Sequence, residues 1–296
     1  MKLLICTQAV DTNDSDLGFF VRWVEEFAKR CEQVEVLCLR RGEGVLPANV
    51  HVRVLPRGRL SRALALLGYA VRLHKQYDVV FVHMNPEYLV VTGLLWRLLG
   101  KKIALWYTHK SVTLKLRIAV LFAHVVFTAS KESFRLRTSR GQVMGHGIDT
   151  DFFTPDPTVS RGSWALSVGR LMKSKRHDLA IRTAVAANRE LRIAGEGPER
   201  KRLEALAREL TASVHFLGGL TQAQLRDEYR HANHLIHTSE TGSLDKVLLE
   251  ALACGLVVKT NDPALTFLEQ QGPEYVRAHH SLPKLIRAIV ETLDTL

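Results

Sequence analysis

The strand–helix–strand order at the start of this chain is the feature that most constrains its fold. Lys2–Cys6 is a short apolar strand, followed by a polar loop carrying Asp11, Asn13, Asp14 and Asp16. Residues 19–30 then place Phe19, Phe20, Trp23, Val24 and Phe27 at helical spacing, and residues 34–39 form a second strand. This βαβ opening predicts a parallel, doubly wound sheet. The first loop holds a single glycine, Gly18, and no G-x-G-x-x-G, so a dinucleotide fingerprint is absent.

The alternation continues. Residues 50–55, 78–83, 103–106 and 125–128 read as strands, and residues 60–77, 89–99, 114–122 and 130–136 as helices, the last beginning at a Ser130 cap. The 60–77 helix sets Arg59, Arg62, Arg72 and Lys75 around Leu64, Leu66, Leu67, Val71 and Leu73. It is either a sheet-covering helix with a solvated basic face or a helix lying on a membrane. Tyr107-Thr108-His109-Lys110 follows a strand's carboxyl end, where open α/β sheets place ligands, so His109 is a candidate contact or a plain loop histidine. Gly145-His146-Gly147-Ile148-Asp149, with Pro155 and Pro157 beyond, punctuates the chain into domains 1–147 and 148–296. The second half repeats the pattern, with strands at 164–168, 191–194, 214–217, 234–237 and 257–260. Helices are expected at 178–187, 199–210, 222–229 and 284–293. The expected fold is α/β, two Rossmann-like doubly wound domains whose strand-end loops face across a cleft.

Composition narrows the class. Hydrophobic residues at 46% and charged residues at 24% are ordinary for a soluble globular protein. Arg97 and His124 interrupt the longest apolar stretches, so none reaches membrane-spanning length. The opening apolar run is too short for a signal-peptide core. Cys6, Cys31, Cys38 and Cys254 lack paired metal spacing, which predicts reduced thiols and a cytoplasmic protein. The charge is uneven. Residues 1–150 hold 22 Lys and Arg against 12 Asp and Glu, and the remainder 19 against 18. A basic first half beside a neutral second half suits an anionic membrane surface or is simply a soluble basic surface. Nucleic acid is not expected, because no recognition motif accompanies the charge.

The stretch Ser239 to Gly255 carries the most chemistry. A small polar loop becomes an apolar helix with Ser243 or Asp245 as its N-cap and Gly255 as its stop. Glu250 sits among Leu248, Leu249, Ala251 and Leu252, and a carboxylate buried there requires a partner. It lies on a solvated stripe, or pairs with an arginine, or is aimed at ligand hydroxyls. Upstream, Arg170 and Lys175 occupy one basic loop leaving a strand; they form a solvated loop or reach one diphosphate together. His231, His234 and His237 run from a helix end into a strand without H-E-x-x-H, so no metal site is assigned.

Several segments taken in order resemble one family. They are Val168-Gly169-Arg170-Leu171 with Lys175, Ile193-Ala194-Gly195-Glu196-Gly197-Pro198, Phe216-Leu217-Gly218, and Leu249-Glu250-Ala251-Leu252-Ala253-Cys254-Gly255. Their order and spacing resemble the family 4 (group 1) glycosyltransferases of GT-B fold, over most of the second half. Gly147-Ile148-Asp149 with Phe152-Phe153 looks like that family's interdomain segment, and the first half matches loosely through Gly18 and His109.

The resemblance implies a hexosyltransferase-type enzyme: retaining, metal-independent transfer of a sugar from a nucleotide donor, UDP- or GDP-linked, with no cofactor. It implies that domain 1–147 takes the acceptor and domain 148–296 the donor. Arg170 and Lys175 would neutralise the departing diphosphate, and His109 would touch the transferred sugar. Glu250 would hold the ribose hydroxyls. Gly242, Ser243, Leu244, Asp245 and Lys246 would meet phosphate or sugar at the helix N-terminus, and Gly197, Pro198, Leu217 and Gly218 would line the base pocket. The acceptor would be lipid-linked or a polysaccharide, with the enzyme peripheral on the inner face of the cytoplasmic membrane.

Two departures stand against the family's pattern. Gly242 replaces the Glu expected eight positions before Glu250, leaving Glu240, Asp245 or Lys246 to take over its donor-sugar contact. The chain also ends soon after Leu293, so a helix crossing back onto the first domain is not expected and domain 148–296 reads as shortened. These departures favour the alternative, a degenerate GT-B protein that binds a nucleotide or a partner enzyme without turnover.

Overall fold

A computed structural model describes residues 1–240 and 242–296; Thr241, within the Ser239 to Gly255 stretch, lies outside the described residues. The chain divides into two compact units, Met1–Gly147 with Leu282–Leu296, and Ile148–Ser281.

The first unit contains β1 (Lys2–Cys6), β2 (Ala9–Val10), α1 (Phe19–Ala28), β3 (Gln33–Cys38), β4 (Arg40–Arg41), β5 (Val50–Val54) and α2 (Arg59–Arg72). It continues through β6 (Val79–His83), α3 (Glu87–Leu98), β7 (Lys102–Trp106), α4 (Leu114–Phe122), β8 (Val125–Thr128) and β9 (Gly141–Val143). Seven strands form one sheet in the order β5-β3-β1-β6-β7-β8-β9, every pair parallel. Side chains alternate across it as the pleat requires. Leu3 and Ile5 of β1 enter one core with Phe20, Val24 and Phe27 of α1. Leu4 and Cys6 enter another with Leu66 of α2, Leu89 and Trp96 of α3, and Leu116 of α4. Helices therefore cover both faces, the arrangement that lets parallel strands be apolar along their whole length.

The second unit contains β10 (Ala165–Val168), α5 (His177–Ala186), β11 (Leu191–Ala194), α6 (Arg200–Glu209), β12 (Val214–Gly218), α7 (Gln222–His231), β13 (His234–His237), α8 (Lys246–Ala253), β14 (Val257–Thr260) and α9 (Pro273–His279). Its five parallel strands run β12-β11-β10-β13-β14. Ala180 and Ile181 of α5 and Leu203 of α6 pack one face, and Leu225 and Tyr229 of α7 with Leu248 to Ala253 of α8 pack the other. In both units the strand order reverses beside the first strand, between β1 and β6 and between β10 and β13.

The structure departs from the sequence reading in several places, among them short strands β2, β4 and β9 and helix α9, none of which was expected. Residues 282–296, assigned above to the second domain, belong to the first unit. Their helix, α10 (Leu282–Thr295), turns Leu282, Leu285, Ile286, Ile289, Val290 and Leu293 into the core shared with α1, so a helix does cross back onto the first unit. Its apolar stripe has nowhere drier to go. The helix expected at 130–136 is a turn. Ser130 and Ser133 share a hydroxyl hydrogen bond of 2.9 Å, and the Ser133 N–H donates to the Ser130 hydroxyl, so Ser130 makes the cap bond expected of it but no helix follows. The residues 263–270 form a 3₁₀ segment that the sequence reading left unassigned.

Among the described residues no helix is long and apolar enough to cross a membrane, and the four cysteines are free and buried.

Candidate donor site on the second unit

The loops that leave the carboxyl ends of β10, β11 and β13 meet at the reversal point of the second sheet, where doubly wound folds bind ligands. The crossing of the first two is tight. Gly169 N–H donates to Ala194 O at 3.0 Å and Leu171 N–H to Glu196 O at 2.9 Å. A Cβ at Gly195 would stand 2.0 Å from Gly169 O, and its φ is +144°, so only glycine fits there. Gly195 N–H in turn reaches Gly218 O at 2.7 Å. Thus Gly195-Glu196-Gly197-Pro198 is held against the β10 loop, and Gly218 against Gly195, by backbone contact, and Gly195 and Gly197 are what the first contact needs.

Charged side chains gather where the β10 and β13 loops approach. Lys175 Nζ lies 2.6 Å from Asp245 Oδ2, and His237 Nε2 lies 2.9 Å from the same oxygen. His237 Nδ1 is 2.9 Å from Thr260 Oγ1, and the Thr238 hydroxyl donates to Lys175 O at 3.0 Å. Burial favours protonation of Asp245, but the His237 hydrogen bond and the Lys175 charge outweigh it and hold the carboxyl well below the usual carboxylate range. Asp245 occupies the N-cap position of α8, yet its side chain makes no capping bond; it is spent on Lys175 and His237. Gly242 N–H, in the same loop, donates to Asp262 Oδ2 at 2.8 Å. Ser243 and Leu244 are half-buried beside it.

Arg170 differs from Lys175. It is exposed, and no carboxylate pairs with it among the described residues. Arg176, whose backbone is left-handed at φ 49°, spans Asp178 and Glu240 and so ties the two loops together on their outer side.

Glu250 is buried at 1% exposure, inside the turns where Leu248 to Ala253 are all buried. Its partner is a lysine one turn earlier, not an arginine. Lys246 Nζ is 3.1 Å from Oε1, and the Tyr229 hydroxyl donates to Oε2 at 3.3 Å. Gly255, at φ +70°, follows the helix as its stop. Sequence reasoning passed over His177, the first residue of α5. It is 3% exposed, its Nδ1 meets Ser167 Oγ at 3.0 Å, and its Nε2 has no partner among the described residues. Burial, reinforced by the Lys175 charge, pushes its pKa down to about 4, so the ring is neutral at pH 7. Nothing in the local sequence marks it, because its burial comes from the sheet.

His109 belongs to the first unit. It follows β7, is exposed, and accepts the Ser111 N–H at 3.1 Å. The three histidines weighed above as a metal site have separate partners: His231 with Asp227 O, His234 with Asn233, His237 with Thr260 and Asp245.

Comparison with known proteins matches this site to a family. Residues 157–294 match the model of the glycosyl transferases group 1. The gpi3 subunit of phosphatidylinositol N-acetylglucosaminyltransferase from Schizosaccharomyces pombe is 30% identical over 132 residues, 42% of this chain. The match spans 29% of that relative's length. The structure of Anabaena Alr3699/HepE in complex with UDP superposes over 100% of both chains with a TM-score of 0.77 at 16% identity. Sucrose-phosphate synthase from Thermosynechococcus elongatus gives 0.78 at 13% identity, over 100% of this chain and 99% of that one. The fold is GT-B, and residues 157–294 belong to the group 1 glycosyl transferases.

Proposed function

We propose that this chain is a glycosyltransferase that moves a sugar, with retention and without a metal, from a nucleotide-sugar to a lipid-linked or glycan acceptor. One observation carries the reading. Arg170, exposed and with no carboxylate partner among the described residues, stands at the carboxyl end of β10 on the same loop as Lys175, which meets Asp245 at the N-cap of α8. A leaving diphosphate needs positive charge where the C1–O bond breaks, and Arg170 with Lys175 supplies it. The acceptor oxygen takes the C1 position, and its proton leaves with the departing phosphate. Glu250 takes the ribose hydroxyls once Lys246 yields one of its oxygens. His109, on the first unit, serves the transferred sugar. UDP is the first nucleotide to try, since the Anabaena relative of like fold was crystallised with it. The basic first half brings the enzyme to the inner face of the cytoplasmic membrane.

A second reading has its own observation. Lys175 is already neutralised by Asp245 and Glu250 by Lys246, which suits a protein that binds a nucleotide without turnover. Calorimetric titration of UDP, GDP and ADP into wild type, Arg170→Ala and Glu250→Ala tests the donor site. One nucleotide binding, and weakening with both substitutions, supports it. Folded protein that binds none removes the assignment. Release of free sugar from the matching donor then separates turnover from mere binding.

A further inference from the structure

The outer layer of the first unit is built to meet something other than water. Helices α2, α3 and α4 pack side by side over one face of the sheet. Their inner sides are buried, and each also carries apolar residues on its outer side. On α2 these are Leu60, Leu64 and Val71; on α3, Val90, Val91, Leu94 and Leu98; on α4, Leu114 and Leu121. Leu60 is 75% exposed, Leu98 76% and Leu114 72%. Nine of the 17 large apolar side chains exposed among the described residues therefore lie on three adjacent helices. Single exposed leucines are ordinary, but a contiguous patch of this kind marks a contact surface.

The charge on these helices says what the contact is. They carry Arg59, Arg62, Arg72, Arg97, Lys115 and Arg117 against one acid, Glu87, which Lys115 neutralises at 2.8 Å. Among the described residues no carboxylate pairs with Arg57, Arg59, Arg72, Lys75 or Arg117. The opposite face of the same unit is balanced: α1 and α10 carry Glu25, Glu26, Glu291 and Asp294 against Arg22, Lys284 and Arg287. The excess of positive charge thus coincides with the exposed apolar residues. A second copy of this chain would set like charges against each other. A bilayer with anionic headgroups satisfies both halves of the pattern, since the leucines enter the acyl boundary while the arginines stay at the phosphates.

We infer that the α2–α3–α4 face is a docking surface for an anionic lipid bilayer. The inference deepens the membrane reading of the proposed function by naming the surface that makes the contact, and it is independent of the donor site, so bilayer binding and nucleotide binding can fail separately. The test is flotation with vesicles of phosphatidylglycerol and phosphatidylcholine, and with phosphatidylcholine alone, at low and high salt. Wild type floats with the anionic vesicles, and salt weakens it. Leu94→Glu/Leu98→Glu lowers the bound fraction by roughly tenfold or more, while calorimetric nucleotide binding is unchanged. Arg72→Ala/Arg117→Ala lowers it less and keeps the test sound if the first variant folds poorly. Val45→Glu, at an exposed apolar residue away from the three helices, leaves flotation intact. Wild type that stays with the protein fraction, or a Leu94→Glu/Leu98→Glu variant that floats equally well, overturns the inference. So does sedimentation of wild type as a dimer that the same double variant splits, because a second copy would then cover the face.

Discussion

The two units share a strand order and fill their reversal points differently. Between β1 and β6 the first unit closes the crevice with packing. His83 stacks on Phe20 at 3.9 Å, its Nδ1 lies 3.2 Å from the Thr7 hydroxyl, and the Tyr88 hydroxyl donates to Thr7 O at 2.8 Å. Between β10 and β13 the second unit places Lys175, Asp245, His237 and His177. Topology supplies a crevice in both, but the residues decide whether it is a core or a site for an anion. The glycines follow suit. The loop after β10 is crossed so closely by the β11 loop that Gly195 is obligatory, whereas the tight glycine of the loop after β1, Gly18, answers to its own turn, where a Cβ would stand 2.6 Å from Asp14 O.

If the contrast is right, substitutions at the first reversal point act on stability and those at the second on binding. Phe20→Ala should cost about 4 kcal/mol in urea unfolding and leave nucleotide affinity alone; lost affinity in folded protein would make the first crevice part of the donor site. His177 comes next. Its pKa is depressed from 6.5 to about 4, so the unfolded chain binds the extra proton between those values. Its contribution is whole above pH 6.5 and is lost as the pH falls to about 4, a change of about 3 kcal/mol. The unfolding free energy of His177→Gln should fall less steeply over that window than that of wild type. Arg170→Ala should weaken the bound nucleotide about thirtyfold, about 2 kcal/mol for lost charge-assisted bonds. The same substitution should move stability by less than about 0.5 kcal/mol. The smallest effect has the opposite sign. Asp245→Asn frees Lys175 for the diphosphate and should tighten binding about fivefold, about 1 kcal/mol. Weaker binding would instead make Asp245 the residue that positions Lys175.

Much of this was legible in the sequence because it rests on local rules. Strand runs such as Val79–His83 and the amphipathic helices announce the parallel sheets, and Gly195 with Gly197 marks the loop crossing. The α8 stop at Gly255 and the N-cap at Asp245 were also readable. What escaped depends on contacts between distant residues. Asp245 is 70 positions from Lys175, and no local pattern tells that its carboxylate leaves the helix end for that lysine. His177 looks like any loop histidine until the sheet buries it. The Lys246–Glu250 pair has ordinary helical spacing and was within reach, but the readings weighed for Glu250 were a solvated stripe, an arginine partner or ligand hydroxyls. The last helix was misassigned because its apolar stripe fits either unit equally well on paper.

That helix has a consequence for how the chain comes off the ribosome. The first unit leaves its core open at Gly147 and completes it only with α10, after the 134 residues from Ile148 to Ser281 have been made. At ordinary synthesis rates that interval is on the order of ten seconds. The second unit, continuous in sequence, is finished inside it. The earliest part of the protein is thus the last to close, and its apolar α1 surface must be sheltered from aggregation in the meantime.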